Sequence, residues 1–89
     1  MVEREAVVKS RHGLHARPSA EITKTANKYG NTEVKIIDPD TTEEVDAKSI
    51  LSLLTMEKMT GTHLIVKAIG PHEETAATEV ARIINEFDV

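Results

Sequence analysis

Apolar and polar residues alternate over short stretches of the chain, and such alternation predicts half-buried strands. In residues 2–9, Ala6 and Val8 share one face while two glutamates lie on the other. Residues 32–38 and 62–68 carry similar apolar runs, and residues 43–47 carry a weaker one. Residues 39–42 (Pro-Asp-Thr-Thr) predict a turn, so the second and third strands should form a hairpin.

Other apolar residues recur at helical spacing. In the first such segment Pro18 fits an opening turn and Gly30 predicts the end. Its apolar positions are Ile22, Ala26 and Tyr29. The last segment opens at Gly70 and Pro71, with two glutamates near its positive end. Its apolar stripe comprises Ala77, Val80, Ala81, Ile84 and Phe87.

A short helix is predicted between these two, capped by either Asp46 or Ser49. Its apolar residues are Ile50, Leu51, Leu53 and Leu54. The apolar stripe of an amphipathic helix covers only part of its circumference, so these side chains cannot all face the core. We expect Leu53 to pack inward, and Leu51 with part of Leu54 to be exposed near His15.

The predicted elements run βαββαβα. Helices laid on one face of a small sheet give an α+β domain of two layers. The order of the strands stays open, and ferredoxin-like domains share much of this element string, so the fold class alone says little about function.

Composition narrows the classes of protein. A chain of 89 residues predicts one domain spanning residues 1–89. It has no cysteine, no apolar run long enough to cross a membrane and no signal-like N-terminus, which predicts a cytoplasmic protein without membrane insertion. A net charge of −4 and only one Tyr and one Phe argue against nucleic-acid binding.

Charge is distributed unevenly along the sequence. The basic residues of the first third include Lys9, Arg11, Arg17, Lys24 and Lys28. Acidic residues gather at Asp38, Asp40, Glu43, Glu44 and Asp46. The early basic segment is therefore where we expect an anion to bind.

Residues 13–18, Gly-Leu-His-Ala-Arg-Pro, carry the most informative chemistry. They place His15 just before a helix, where the first backbone N–H groups lack partners, so the backbone of Ala16 and Arg17 could bind an anion attached to His15. The Arg17 side chain could add a charge-assisted hydrogen bond. Because imidazole is a nucleophile near neutral pH, the segment predicts a phosphoryl group carried on His15, with no cofactor and no metal.

Simpler interpretations of the histidines remain open. A histidine before a helix is more often a polar capping residue than a nucleophile. A zinc site built from His12 and His15 lacks cysteine, and no carboxylate lies close in sequence to complete it. His63 and His72 are expected on the surface.

Ser49 is a second candidate site. Its simplest role is to cap the short helix. Phosphorylation there would be tolerated by the helix N-terminus and would add about −1.5 to −2 charge beside the exposed leucines. If these leucines dock a partner, the added charge would weaken binding of an acidic one.

Over essentially its whole length the chain resembles the histidine-containing phosphocarrier (HPr) family and its nitrogen-branch relatives. Besides residues 13–18, the likeness rests on Thr-Ala-Asn-Lys-Tyr at 25–29, Lys-Ser-Ile at 48–50 and the tract 60–71. The resemblance implies an open-faced sandwich in which a four-stranded antiparallel sheet is covered on one face by three helices.

The resemblance also implies roles. His15 would receive a phosphoryl group on Nδ1 from enzyme I, itself charged by phosphoenolpyruvate, and pass it to a histidine of an enzyme IIA domain. The chain would then be a transfer intermediate rather than a stand-alone enzyme. Arg17 matches the arginine that contacts the phosphate, and Ser49 matches the serine modified by HPr kinase/phosphorylase. The family's docking surface corresponds to Lys24, Ile50, Leu51 and Leu54.

Departures from the family leave its branch open. The hairpin at residues 39–44 is longer than in sugar-branch members, Ser52 replaces a common glycine, and residues 50–54 and 70–74 resemble the nitrogen-regulatory branch. A signalling module that acts through Ser49 without transfer is an alternative, although its known form lacks the active histidine. A third is an unrelated small-molecule-binding regulatory domain.

Overall fold

The protein is described by a computed structural model covering residues 1–88. Its strands are β1 (Val2–Val7), β2 (Glu33–Asp38), β3 (Glu43–Asp46) and β4 (His63–Ile69). Its helices are α1 (Ala16–Ala26), α2 (Ile50–Met56) and α3 (Glu73–Glu86). The predicted order βαββαβα is confirmed. Within residues 1–88, no helix has the length and apolar character needed to cross a membrane.

The four strands form one antiparallel sheet in the order β1-β4-β2-β3. Strand β4 occupies a central position, where Leu64 pairs with Ala6 of β1 and Val66 pairs with Ile36 of β2. The short β3 forms an edge, with Val45 opposite Ile36. This arrangement settles the strand order that the sequence left open and confirms the α+β, open-faced fold.

The period-two pattern separates a buried face of the sheet from an open one. The buried face presents Ala6, Val34, Ile36, Leu64, Val66 and Ala68. The opposite face carries charged side chains at paired positions, including Glu3 beside Lys67 and Lys67 beside Lys35. The helices cover the first face because it offers the continuous apolar surface against which an amphipathic helix can pack.

Helix α3 packs against β1 and β4. Its buried side chains are Ala76, Ala77, Val80, Ala81 and Ile84. The helix begins at Glu73, whose carboxylate accepts the Gly70 N–H at 3.1 Å and the Met1 ammonium at 2.9 Å. The Met1 ammonium and the Gly70 N–H hold the pKa of Glu73 below its usual range. This carboxylate therefore ties the chain's first residue to the start of α3.

Helix α1 ends at Ala26, earlier than the glycine at residue 30 predicted. Asn27 closes the helix, because its backbone N–H (3.0 Å) and its side-chain amide (2.9 Å) both donate to the Thr23 carbonyl. Tyr29 consequently lies beyond the helix, half-buried, and its hydroxyl donates to Glu79 of α3 at 2.9 Å. The assignment of Gly30 as the stop was wrong because an asparagine ends the helix first.

Candidate functional site

His15 is the N-cap residue of α1. Its backbone is extended, with φ −86° and ψ −168°, and its carbonyl accepts the Ser19 N–H at 3.1 Å. Its ring atom Nδ1 accepts the Arg17 N–H at 3.4 Å. A nitrogen that accepts a hydrogen bond carries the lone pair, so in the neutral ring the proton resides on Nε2. Nδ1, the atom predicted to carry the phosphoryl group, therefore lies at the N-terminus of the helix.

The start of α1 brings together the three residues predicted to hold an anion. Ala16 and Arg17 are the first two residues of the helix, and both side chains are exposed. No acidic residue occupies the first turn. The positive end of the helix dipole therefore favours negative charge at His15, and the exposed Arg17 adds a cationic side chain to the same turn.

Two close contacts fix the loop that precedes His15. Gly13 has φ +75°, and a Cβ placed there would lie 2.2 Å from the Lys58 carbonyl oxygen. That same oxygen accepts the Leu14 N–H at 2.8 Å. Only glycine combines this positive φ with such a close backbone approach, which explains the glycine two residues before the histidine.

The connection between α2 and β4 supports the rest of this loop. The Thr60 hydroxyl donates to the Ser10 carbonyl and also to the Arg11 carbonyl, the latter at 3.2 Å. The Gly61 N–H donates to the Val8 carbonyl at 2.8 Å. The segment before His15 is thus held by residues about fifty positions later in the chain.

Two rings flank the His15 imidazole. The ring of His12 lies edge-on, with centroids 5.8 Å apart and an interplanar angle of 77°. The ring of Phe87 is also edge-on, at 6.3 Å and 74°. Phe87 follows the last residue of α3 and is half-buried, so the prediction that it extends the apolar stripe of that helix was wrong. Its spacing from Ile84 fits the stripe, and the sequence offers no signal for the contact with His15.

A cavity of 340 Å³ opens beside His15. Its lining includes the apolar residues Leu54 and Met59, together with Glu57 and Lys58. Within residues 1–88, no group of three histidine, aspartate or glutamate side chains is placed to hold a metal ion. His12 and His15 therefore lack the further protein ligands that a zinc site needs.

The predicted docking residues lie on α1 and α2, which pack against each other. Leu53 is fully buried and Leu51 is 73% exposed, as predicted. Leu54 is half-buried and lines the cavity beside His15, whereas Ile50 is exposed at 37%. Lys24 lies in the last turn of α1 and is exposed.

Ser49 is the N-cap residue of α2, and its hydroxyl accepts the Ser52 N–H at 3.3 Å. The other candidate cap, Asp46, instead accepts the Lys48 N–H at 2.9 Å and so stabilises the preceding turn. The Lys48 ammonium donates to the Tyr29 carbonyl at 2.7 Å. Of the two alternatives, the structure therefore selects Ser49 as the cap.

Comparison with known proteins identifies the family of the chain. A family model described as PTS-HPr, "PTS HPr component phosphorylation site", matches residues 2–86. The chain is 38% identical to the phosphocarrier protein HPr of Borreliella burgdorferi over 87 residues, which is 98% of each chain. It is 33% identical to the HPr-like protein Crh of Bacillus subtilis, covering 97% of this chain and 98% of that one.

The same relationship is visible in three dimensions. A crystal structure of HPr from Thermoanaerobacter tengcongensis superposes with a TM-score of 0.85 at 30% identity, covering 94% of this chain and 91% of that one. Sequence and structure therefore match over nearly the full length of each protein. The chain belongs to the HPr family, the phosphocarrier proteins of the phosphotransferase system.

Proposed function

We propose that this chain accepts a phosphoryl group on Nδ1 of His15 from phosphorylated enzyme I and donates it to a histidine of an enzyme IIA domain. The proposal rests on the contact between Nδ1 and the Arg17 N–H at 3.4 Å. It directs the nucleophilic lone pair toward the helix start, where a phosphoryl group meets the N–H groups of Ala16 and Arg17. Residues 1–89 act as one cytoplasmic domain and need neither cofactor nor metal.

The transfer conserves atoms and charge. The Nδ1 lone pair attacks phosphorus, a P–N bond forms, and the bond between phosphorus and the donor breaks with its electron pair leaving on the donor. Because the proton remains on Nε2, the phosphorylated ring is cationic. A cationic ring is a good leaving group, so the same arrangement that accepts the phosphoryl group also releases it to the next histidine.

Incubation with enzyme I and phosphoenolpyruvate tests this function. We expect a phosphoprotein that is labile in acid and stable in base, with phosphorus bonded to Nδ1 by NMR. Addition of an enzyme IIA domain should discharge it. A chain that stays unlabelled beside enzyme I known to be active would contradict the proposal.

Arg17→Ala should slow transfer in both directions. The lost interaction is a charge-assisted hydrogen bond of about 1.5–3 kcal/mol, which corresponds to a rate lower by roughly 10- to 100-fold. The side chain is exposed, so the free energy of unfolding should change by less than ~0.5 kcal/mol. Rapid-quench kinetics and thermal unfolding measure the two effects.

Arg4→Ala is the matched control, since Arg4 is paired with Glu74 at the opposite end of α3 from Phe87. It should leave transfer unchanged. A large fall in melting temperature for Arg17→Ala, with normal transfer, would instead assign Arg17 a structural role.

We further propose that Lys24, Ile50, Leu51 and Leu54 form the docking surface for enzyme I and enzyme IIA domains. On the same proposal, Ser49 is a regulatory site for HPr kinase/phosphorylase. The exposure of Leu51 supports the first part, because a leucine that is 73% exposed contributes little to the core. The position of Ser49 supports the second, since a phosphate at a helix N-cap is electrostatically tolerated beside that surface.

Ser49→Asp should raise the apparent Michaelis constant for enzyme I by roughly 3- to 10-fold, because it places a carboxylate at the edge of the docking surface. Leu51→Ala should shift it in the same direction without added charge. Circular dichroism should be unchanged for both, since a negative charge at the N-terminus of α2 is favourable.

Two controls separate docking from capping and from general hydrophobicity. Ser49→Ala removes the cap without adding charge and should affect stability rather than docking. Ile69→Ala removes an exposed apolar side chain from β4, away from α1 and α2, and should leave the constant unchanged. If Ser49→Asp and Leu51→Ala both show the parental Michaelis constant for enzyme I, the proposed docking surface is refuted. Ser49 would then be a simple helix cap.

A signalling role through Ser49 without transfer is the second candidate function. The exposed surface beside the α2 cap supports it, while His15 at the start of α1 favours transfer. A chain that enzyme I labels but no enzyme IIA domain discharges would favour signalling.

A further inference from the structure

The side chain of Lys58 reaches from the α2–β4 connection to the base of the β2–β3 hairpin. Its Nζ lies 2.9 Å from Oδ2 of Asp38 and 2.8 Å from Oε1 of Glu43. Asp38 ends β2, Glu43 begins β3, and the two are opposite each other in the sheet register. One ammonium group therefore joins both strands of the hairpin.

The lysine and one of its two carboxylates are largely shielded from water, whereas the Glu43 side chain is 42% exposed. The Lys58 side chain is 13% exposed and the Asp38 side chain 6%. Hydrogen bonds to Glu43 and then to Asp38 raise the pKa of Lys58, and the bond from Lys58 lowers the pKa of Asp38. The second oxygen of Asp38 accepts the Asp40 N–H at 2.9 Å, so this carboxylate is itself held firmly by the turn. The long lysine side chain is consequently restrained at its far end.

The main chain of Lys58 supports the loop that ends at His15. Its carbonyl accepts the Leu14 N–H, and Gly13 packs against the same oxygen at a distance that no side chain would allow. Leu14 and His15 share a peptide bond, so a shift of the Lys58 carbonyl moves the ring that carries Nδ1. The hairpin carboxylates, the Lys58 side chain and the His15 loop thus form one connected chain of contacts.

We propose that Lys58 is a positioning residue for His15, held in place by Asp38 and Glu43 of the β2–β3 hairpin. Its kinetic part rests on the proposed function of His15 as phosphoryl acceptor, whereas the anchoring of the loop can be measured without any transfer. Lys58 acts through its backbone carbonyl, and its ammonium serves the hairpin rather than the phosphoryl group.

Lys58→Met tests the inference, because methionine keeps much of the apolar stem and removes the ammonium. Hydrogen exchange at the Leu14 amide should accelerate roughly tenfold more than exchange in the central strand β4. The kcat for phosphoryl transfer from enzyme I should fall by a similar factor with KM unchanged, since the docking surface is untouched. Lys58→Arg should keep the Leu14 exchange rate and kcat close to the parental values, because its guanidinium can pair with the same carboxylates.

A milder variant keeps the test decisive if Lys58→Met folds poorly. Asp38→Asn combined with Glu43→Gln neutralises the partners while preserving shape, and it should produce the same selective loosening at Leu14. Lys35→Met is the matched control, since Lys35 forms an exposed pair with Glu44 of the same hairpin at 3.4 Å. It should change neither exchange at Leu14 nor kcat.

The outcomes separate this inference from the proposed function. Equal acceleration of exchange at Leu14 and in β4 would reduce Lys58 to a general stabilising residue and overturn the inference. If Lys58→Met accelerates hydrogen exchange selectively at Leu14 but keeps the parental kcat, only the positioning role of Lys58 is overturned. Failure of the parent chain to accept a phosphoryl group overturns the proposed function, and the exchange data then still decide whether Lys58 anchors the loop.

Discussion

His15→Ala is expected to accept no phosphoryl group from enzyme I while keeping the fold of the parent. Alanine removes Nδ1, and neither the protonated Arg17 guanidinium nor the backbone N–H groups of the helix start offer a nucleophilic lone pair in its place. Loss of the N-cap acceptor should cost about 0.5–2 kcal/mol. The long 3.4 Å contact with the Arg17 N–H places the loss near the low end of that range. Acid-labile labelling measures the loss of phosphorylation, and circular dichroism measures retention of the fold.

His12→Ala supplies the matched control, because the rings of His12 and His15 are only 5.8 Å apart. It should retain acid-labile label at the parental stoichiometry. If His12→Ala lost the label and His15→Ala kept it, the acceptor would be His12 and the assignment of His15 would be wrong.

Gly13→Ala should give the largest loss of stability among the variants of the His15 loop. The residue must adopt φ +75°, which costs a non-glycine residue about 1–3 kcal/mol. The new methyl group must also displace the Lys58 carbonyl, because it would otherwise lie 2.2 Å from that oxygen. We therefore expect denaturant unfolding to report a loss of several kcal/mol, and transfer to slow because Leu14 loses its acceptor.

Substitutions at two other glycines separate the cost of the positive φ from the cost of the close contact with Lys58. Gly61 has φ +92° but open space where a Cβ would stand, so Gly61→Ala measures the conformational cost alone. Gly30 has neither constraint, so Gly30→Ala should be neutral or slightly stabilising. If Gly13→Ala and Gly61→Ala destabilise equally, the close contact with Lys58 contributes nothing.

Local pattern predicted much of the fold. The alternation around Ala6 and Val8 identified β1, and the spacing of Val80 and Ile84 identified the buried side of α3. Leu53 was predicted to face inward because a short amphipathic helix has room for only a narrow apolar stripe. These features depend on neighbours in sequence, which a single chain displays directly.

Features that depend on distant partners could not be predicted in this way. Phe87 fits the α3 stripe by spacing, and only the tertiary fold turns its ring toward His15. Asp38 belonged to a run of acidic residues, and nothing local reveals that Lys58 pairs with it. The sequence motif likewise placed His15 before a helix, but the atom that faces the Arg17 N–H is known only from the structure.

Because β4 lies between β1 and β2, the sheet cannot be assembled in the order in which a ribosome makes the chain. Strand β1 is the first to emerge, yet its partner spans residues 63–69, and the bonds that hold the His15 loop come from the segment just before it. Pairings so distant in sequence delay folding, since loop-closure entropy must be overcome before they form. His15 is therefore synthesised early, but the contacts that position it form late. A nascent chain that stalls before β4 would carry the complete motif of residues 13–18 without a formed site.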